Sequence, residues 1–102
     1  MQLGIAVVRG RSMLPTYRDG DRLLVLYGAR VVRGRAHVVD LPPGPDGPRP
    51  VAVKRVTRRD GDGWWVECDN PAEGVDSWTV GALPESAVRA RVVTRLPHRR
   101  TG

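Results

Sequence analysis

The sequence predicts an all-β protein, a single small domain of short strands in a Greek-key-like or barrel-like arrangement with a coiled connection. Short valine-rich runs alternate with turn residues, and the 102 residues include 12 glycines and 9 prolines. No segment has the sustained 3.6-residue periodicity of a long helix. The length suffices for one hydrophobic core and not for two.

The first half of the chain predicts three strands. Residues 3–8 are apolar, and Arg9 and Arg11 follow closely, so this segment is interpreted as a first strand and not as a signal peptide. A turn-rich segment then leads to a strong strand over residues 21–27. The third strand is predicted at residues 35–41 because apolar residues dominate it between turn signals.

A proline-rich loop is predicted to join the third and fourth strands. Residues 42–50 contain five prolines, which are stiff and lack the amide donors that a sheet interior needs. The fourth strand follows at residues 51–58. Asp-Gly-Asp-Gly at residues 60–63 is a tight hairpin signal. It predicts that residues 64–68 return as the fifth strand.

The last third of the chain is less regular. Residues 69–80 show no periodicity, and residues 83–88 predict either one helical turn or a loop. Residues 88–96 form the last predicted strand. We therefore expect a β domain over residues 1–96 and a basic tail over residues 97–102.

Charge and composition exclude several classes of protein. The net charge of +6 comes from arginines scattered along the chain, and no helix-turn-helix, zinc-finger spacing or aromatic stripe accompanies them. We interpret these arginines as solvated and expect no specific nucleic-acid partner. No stretch of about 18 apolar residues predicts a transmembrane helix. The basic tail leaves peripheral contact with a membrane as an alternative.

The single cysteine, Cys68, cannot form an internal disulfide and does not make a metal site. We therefore expect no metal and no cofactor. Cys68 itself is interpreted either as a small buried hydrophobic residue or as a partly reactive thiol.

Lys54 is the only lysine among 17 basic residues, and the other 16 are arginines. An arginine-favouring genome alone would explain this bias. Arginine cannot lose its proton in a protein, whereas a desolvated lysine can. Strand alternation places Lys54 on one face with Ala52 and Val56, whose small apolar side chains should partly desolvate the amine. Lys54 is therefore a candidate general base.

Ser12 is a candidate nucleophile for such a base. It begins the segment Ser-Met-Leu-Pro-Thr, in a strand-to-turn setting where backbone amides can point at a developing oxyanion. Gly10 permits close backbone approach there, and Pro15 enforces the following turn. In isolation this short pattern is more often a plain turn than an active site.

Four sequence blocks in order give these two residues a context. The blocks are Ser-Met-Leu-Pro-Thr at 12–16, Asp-Gly-Asp-Arg-Leu-Leu-Val at 19–25, Val-Lys-Arg-Val at 53–56, and Asp-Asn-Pro-Ala-Glu-Gly-Val-Asp-Ser at 69–77, with Gly81 and Pro84 behind them. Together they resemble the Ser-Lys proteases of the type I signal peptidase clan, which includes the self-cleaving repressors of the bacterial DNA-damage response. The resemblance spans roughly residues 10–92.

The resemblance implies a fold like the catalytic core of a signal peptidase, with Ser12 as nucleophile and deprotonated Lys54 as general base. The backbone amide of Ser12 would form part of the oxyanion hole. Gly10, Arg11 and Met13 around the serine would help to position the oxyanion or the substrate.

The resemblance also implies a structural role for Arg55. It is similar to a family arginine that pairs with the aspartates of the last block, here Asp69 and Asp76. The alternative is that all three are ordinary surface charges. The chain departs from the family pattern at Gly74, where a serine commonly binds the lysine, so Ser77 or a water would orient Lys54 instead.

A second departure is Trp78, which stands where an arginine usually follows Asp-Ser and so removes one charge partner.

The resemblance further implies a polypeptide substrate. Signal peptidases carry membrane segments that this chain lacks, and self-cleaving repressors carry their cleavage site about thirty residues or more before the serine, whereas eleven residues precede Ser12. We therefore expect cleavage in trans of a propeptide or signal-like segment, in the cytoplasm or, alternatively, at a membrane. Small soluble actinobacterial members of the clan include proteins similar to the maturation protease of nickel superoxide dismutase, and the arginine-rich composition suits such a genome.

A different class of function is a non-catalytic binding module of the same fold. Its basic surface would dock an acidic protein or a nucleic acid.

Overall fold

The computed structural model describes residues 1–97, which form seven strands. These are β1 (Gln2–Val7), β2 (Arg22–Tyr27), β3 (Ala36–Val39), β4 (Ala52–Asp60), β5 (Gly63–Glu67), β6 (Leu83–Pro84) and β7 (Val88–Arg95). A four-residue helix, α1 (Ser77–Val80), and a 3-10 turn (Glu85–Ala87) complete the regular structure of this part of the chain. The all-β prediction is confirmed.

All seven strands belong to one antiparallel sheet with the order β1-β2-β7-β3-β4-β5-β6. The last strand, β7, lies between β2 and β3 and so joins the two halves of the sheet. Within residues 1–97, β1 and β6 are the two edge strands and no pairing closes the sheet into a barrel.

The predicted connections around β4 are present. Residues 42–50 form the loop between β3 and β4, narrowed by a bridge between Gly44 and Gly47 and by a hydrogen bond from Arg49 Nη1 to the carbonyl oxygen of Pro42. Asp60 pairs with Gly63 across the β4–β5 hairpin, as the Asp-Gly-Asp-Gly sequence predicts.

The segment between β5 and β7 has more structure than the sequence predicts. Residues 69–76 are irregular, as expected, but α1 follows, with the Asp76 side chain accepting a hydrogen bond from the amide of Trp78 at its N-terminus. Leu83 and Pro84 pair with β5, and proline is tolerated there because β6 is an edge strand. The alternative of one helical turn over residues 83–88 corresponds to the 3-10 turn.

The larger hydrophobic cluster of the described chain packs the β1–β2 region against β3 and β4. Its buried members are Val8, Met13, Leu23, Val25, Ala36, Val38, Val53, Ala90 and Val92. Met13 follows Ser12, and Val53 precedes Lys54. Burying these two neighbours in one cluster therefore brings the candidate nucleophile and the candidate base together.

Residues 98–102, most of the predicted basic tail, lie outside the described residues, so the boundary after residue 96 stays a prediction. Within residues 1–97, no helix has the length and apolar character needed to cross a membrane.

Candidate active site

The candidate nucleophile lies in the long turn between β1 and β2, at residues 8–21, which is called the nucleophile turn. Hydrogen bonds of 2.8 Å from the Val8 amide to the Asp21 carbonyl and 2.7 Å from the Gly20 amide to the Val8 carbonyl close the base of this turn. Met13, only 1% exposed, fastens it to the core. Ser12 therefore sits on a turn that is pinned at its ends and at the residue after the serine.

Lys54 extends from β4 to Ser12. Its Nζ donates a hydrogen bond to Ser12 Oγ at 2.9 Å, and its residue exposure is 3%. In the sheet it pairs with buried His37, and its strand neighbour Val53 is buried as well, so both faces of β4 are covered at this point. No carboxylate of the described residues forms an ion pair with Nζ.

A second contact of Lys54 Nζ is Cys68 Sγ, at 3.4 Å. Burial raises the pKa of the Cys68 thiol, and the nearby Lys54 amine only partly offsets this rise. The thiol is therefore neutral near pH 7. No sequence signal predicts this contact, since a lone cysteine at the end of a strand is most simply a small buried residue.

Gly74 packs closely against Ser12, Lys54 and Cys68. A Cβ at this position would lie 2.6 Å from Ser12 Cβ, 3.0 Å from Cys68 Sγ and 3.2 Å from Lys54 Nζ, and the φ of +89° disfavours any residue with a side chain. The serine that the family pattern carries here does not fit this backbone. The glycine at this position therefore agrees with the backbone conformation and with the close packing around it.

Arg55 and Asp69 form a bidentate ion pair beside the candidate dyad. Arg55 Nε and Nη2 donate to the two carboxylate oxygens of Asp69, each at 2.7 Å, and Thr16 Oγ1 donates to Asp69 Oδ2 at 2.6 Å. Burial opposes ionisation of Asp69, but the hydrogen bonds from Arg55 and Thr16 outweigh it, so the pKa of Asp69 is lowered. The pair joins β4 to the segment after β5.

Asn70 carries this connection on to the nucleophile turn. Its amide donates to the Ser12 carbonyl at 2.8 Å, and its side-chain Nδ2 donates to the Arg11 carbonyl at 3.0 Å. Asn70 belongs to the fourth sequence block, but the sequence alone indicates no role for it. Only the folded loop shows that its two donors reach successive carbonyls of the turn.

Asp76 and Ser77 are not where the sequence interpretation put them. The Asp76 carboxylate accepts hydrogen bonds from the amides of Cys68 and Trp78, both at 3.0 Å. The expectation that Asp76 pairs with Arg55 is therefore corrected. Ser77 is 1% exposed, and its Oγ accepts from the Val66 amide at 2.8 Å. Ser77 therefore supports β5, while Cys68 takes the place beside Lys54.

The three residues expected to position the oxyanion or substrate have different environments. The Gly10 amide donates to Asp19 Oδ1 at 2.7 Å, so this donor is already used. Gly10 has a φ of +81° with no atom within 4 Å of an added Cβ, so glycine serves the backbone conformation there. Arg11 is exposed and Met13 is buried. Within residues 1–97 the amides of Ser12 and Met13 have no acceptor, which leaves them available as donors.

A cleft of about 530 Å³ runs past this arrangement. Its walls come from the end of β1, the nucleophile turn and the start of β4. Among its lining residues are Ser12 and Lys54 together with apolar Val7, Val51 and Val53. The cleft thus offers apolar surface and exposed strand edges next to the Ser12 hydroxyl, an arrangement that suits an extended peptide.

Residues 1–97 contain no group of three or more histidine, cysteine or acidic side chains arranged to hold a metal ion.

A family model described as Peptidase S24-like matches residues 1–93. A search of curated proteins gave no match. The matched segment includes the nucleophile turn, β4 and the segment that carries Asp69 and Asn70.

Proposed function

The chain belongs to the S24-like peptidase family, and on this premise we propose that it is a serine endopeptidase with Ser12 as nucleophile and Lys54 as general base. Family membership supports a serine-peptidase type of enzyme. The residue assignment rests on the 2.9 Å contact between Lys54 Nζ and Ser12 Oγ. Because Lys54 is the only lysine of the chain, no other lysine can supply this base.

The proposed reaction is acyl transfer. In the reactive state Lys54 is a neutral amine, and the Ser12 hydroxyl donates its hydrogen bond to the lone pair of Nζ. Oγ attacks the scissile carbonyl carbon as its proton passes to Nζ, which gives a tetrahedral oxyanion and an ammonium. The free amides of Ser12 and Met13 are the candidate donors to that oxyanion.

The tetrahedral intermediate then breaks down toward product. The C–N bond breaks, the leaving amine takes the proton from the Lys54 ammonium, and an acyl ester on Ser12 remains. The again neutral amine removes a proton from water, whose oxygen attacks the ester carbonyl. The second tetrahedral intermediate breaks its bond to Ser12 Oγ, which takes the proton back from the Lys54 ammonium. The new carboxyl terminus leaves, and the Ser12 hydroxyl is restored.

We propose a polypeptide substrate that binds in extended form along the cleft and is cut in trans. None of residues 1–97 fills the 530 Å³ cleft, which supports access by another chain. The family resemblance favours small residues before the scissile bond and a propeptide or signal-like segment as the part removed. A nickel superoxide dismutase precursor is one candidate.

The test is to incubate the protein with propeptide-bearing proteins from the same genome and to find new amino termini by mass spectrometry. We expect Ser12→Ala, Lys54→Ala and Lys54→Arg each to abolish cleavage while the circular dichroism spectrum is unchanged. Lys54→Arg is the sharpest variant because it keeps a cation but cannot lose a proton. Ser86→Ala, which removes an exposed hydroxyl from the 3-10 turn, is the control and should cleave normally.

Cleavage at the wild-type rate by Lys54→Arg would refute the assignment of the base. A wild-type protein that binds such proteins in a salt-sensitive way, unaffected by Ser12→Ala and without any cleavage, would instead indicate the non-catalytic binding module.

A further inference from the structure

We propose that Cys68 is a positioning residue that holds the Lys54 amine in line with Ser12, a role that rests on the proposed function of the dyad. An amine at the end of four methylene groups can rotate and bend away from a single partner. Here Nζ has Ser12 Oγ at 2.9 Å and Cys68 Sγ at 3.4 Å. With one N–H directed at sulfur, the lone pair of the neutral amine can point at the serine hydroxyl.

The position of Gly74 explains why the second partner is a sulfur atom on a different residue. An added Cβ at residue 74 would lie within 3.2 Å of Ser12, Cys68 and Lys54 atoms at once. A hydroxyl side chain cannot enter from that side without displacing the dyad. The space against Nζ is instead taken from the end of β5, where Cys68 directly follows Glu67.

The Cys68 side chain is itself fixed and presents an acceptor to Lys54. Its backbone amide donates to Asp76 Oδ2 at 3.0 Å, and Sγ lies 3.9 Å from the Val75 carbonyl, toward which the thiol proton can point. Sulfur lone pairs then remain for Lys54. Because burial raises the pKa of this thiol, Sγ carries no charge near pH 7. A thiolate would hold Lys54 as an ammonium and oppose its use as a base.

Two variants separate hydrogen bonding from packing. Cys68→Ser keeps an acceptor on a smaller side chain, whereas Cys68→Val fills the space and removes the acceptor. We expect kcat to fall roughly 10- to 100-fold in Cys68→Val with little change in KM, because the base is misaligned while the cleft is intact. Cys68→Ser should lose less than about tenfold. If Cys68→Val does not fold, Cys68→Ala removes the sulfur without adding volume and is measured in its place.

The second readout needs no substrate. With ¹³C at Cε of lysine, the nuclear magnetic resonance spectrum of this chain contains a single lysine signal, which follows protonation of Lys54. A hydroxyl is a stronger acceptor than a thiol and favours the ammonium, so the titration midpoint should move to higher pH in Cys68→Ser. It should move to lower pH in Cys68→Val or Cys68→Ala. A residue that only packs would leave the midpoint unmoved.

The results distinguish this inference from the proposed function. Ordered midpoints are those in which the Lys54 titration midpoint is higher in Cys68→Ser and lower in Cys68→Val than in the wild type. Such midpoints together with a lowered kcat in Cys68→Val support both the positioning role and the proposed function. Ordered midpoints in a protein that cleaves nothing support the positioning role and refute the proposed function. Equal midpoints in the wild type and the variants, or a Cys68→Val enzyme as active as Cys68→Ser, would overturn the positioning role while leaving Ser12 and Lys54 assigned.

Discussion

The Arg55–Asp69 ion pair should stabilise both the fold and the nucleophile turn, and Asp69→Asn tests this. The side chains are only 29% and 13% exposed, and both pairs of atoms meet at 2.7 Å. Exposed ion pairs contribute about 0–1 kcal/mol, while breaking a buried one costs about 3–5 kcal/mol. For this half-buried pair we expect a loss of about 2 kcal/mol in the free energy of unfolding at pH 7. In a chain of this size that lowers Tm by roughly 8–16 °C.

The stabilisation should depend on pH in a defined direction. The folded state lowers the pKa of Asp69, so its contribution is fully present above the unfolded value of about 4. It is lost as the pH falls through the folded value, where the carboxylate becomes protonated. The difference between wild type and Asp69→Asn should therefore be constant above about pH 5 and shrink below about pH 4.

The assay is urea unfolding at a series of pH values, followed by tryptophan fluorescence. Asp60→Asn is the matched control, because Asp60 is 46% exposed and lies 3.8 Å from Arg58. It should change the free energy of unfolding by less than about 0.5 kcal/mol. Equal losses in the two variants, or an Asp69→Asn loss that persists unchanged at pH 3, would contradict a stabilising role of the ionised Asp69.

Two further substitutions test the surroundings of the dyad. Gly74→Ser, which restores the hydroxyl of the family pattern, should abolish cleavage because its Cβ would lie 2.6 Å from Ser12 Cβ. Gly20 is the control, because its φ is +88° and an added Cβ would meet no atom within 4 Å. Gly20→Ser should therefore cost only the backbone strain of about 1–3 kcal/mol and keep its activity. An active Gly74→Ser enzyme would contradict the close packing of residue 74 against Ser12. Met13→Ala should cost about 2–5 kcal/mol in chemical unfolding, whereas Leu3→Ala, at a 62% exposed position, should cost under about 1 kcal/mol. Equal costs would show that Met13 does not anchor the turn.

The regular part of the fold could be predicted because its signals are local. The Asp-Gly-Asp-Gly hairpin and the apolar run at residues 23–26 specify structure within a few residues. The insertion of β7 between β2 and β3 was not predicted, because strand order depends on which distant strands pair. Leu83 and Pro84 likewise gave no strand signal, since a two-residue strand has no period to detect.

In the candidate site, too, some residues could be predicted from the sequence and others could not. Ser12 and Lys54 could be predicted from residue type, from their order along the chain and from the family resemblance. The fold brings Lys54 Nζ to 2.9 Å from Ser12 Oγ. Cys68 and Asn70 gave no comparable signal, because their roles depend on where individual atoms of an irregular loop point. The family pattern suggests Asp76 as a partner of Arg55 because both aspartates belong to one block. In the fold Asp76 is the N-cap of a four-residue helix, and its carboxylate accepts hydrogen bonds from backbone amides instead.

The role of Lys54 as general base is tested by measuring its protonation over the pH range in which the enzyme works. The ¹³Cε signal of the single lysine and the rate of peptide cleavage are measured on the same wild-type sample. We predict that the cleavage rate rises with pH over the interval in which the signal changes from ammonium to neutral amine. A rate that rises while Lys54 stays an ammonium would contradict its role as the general base.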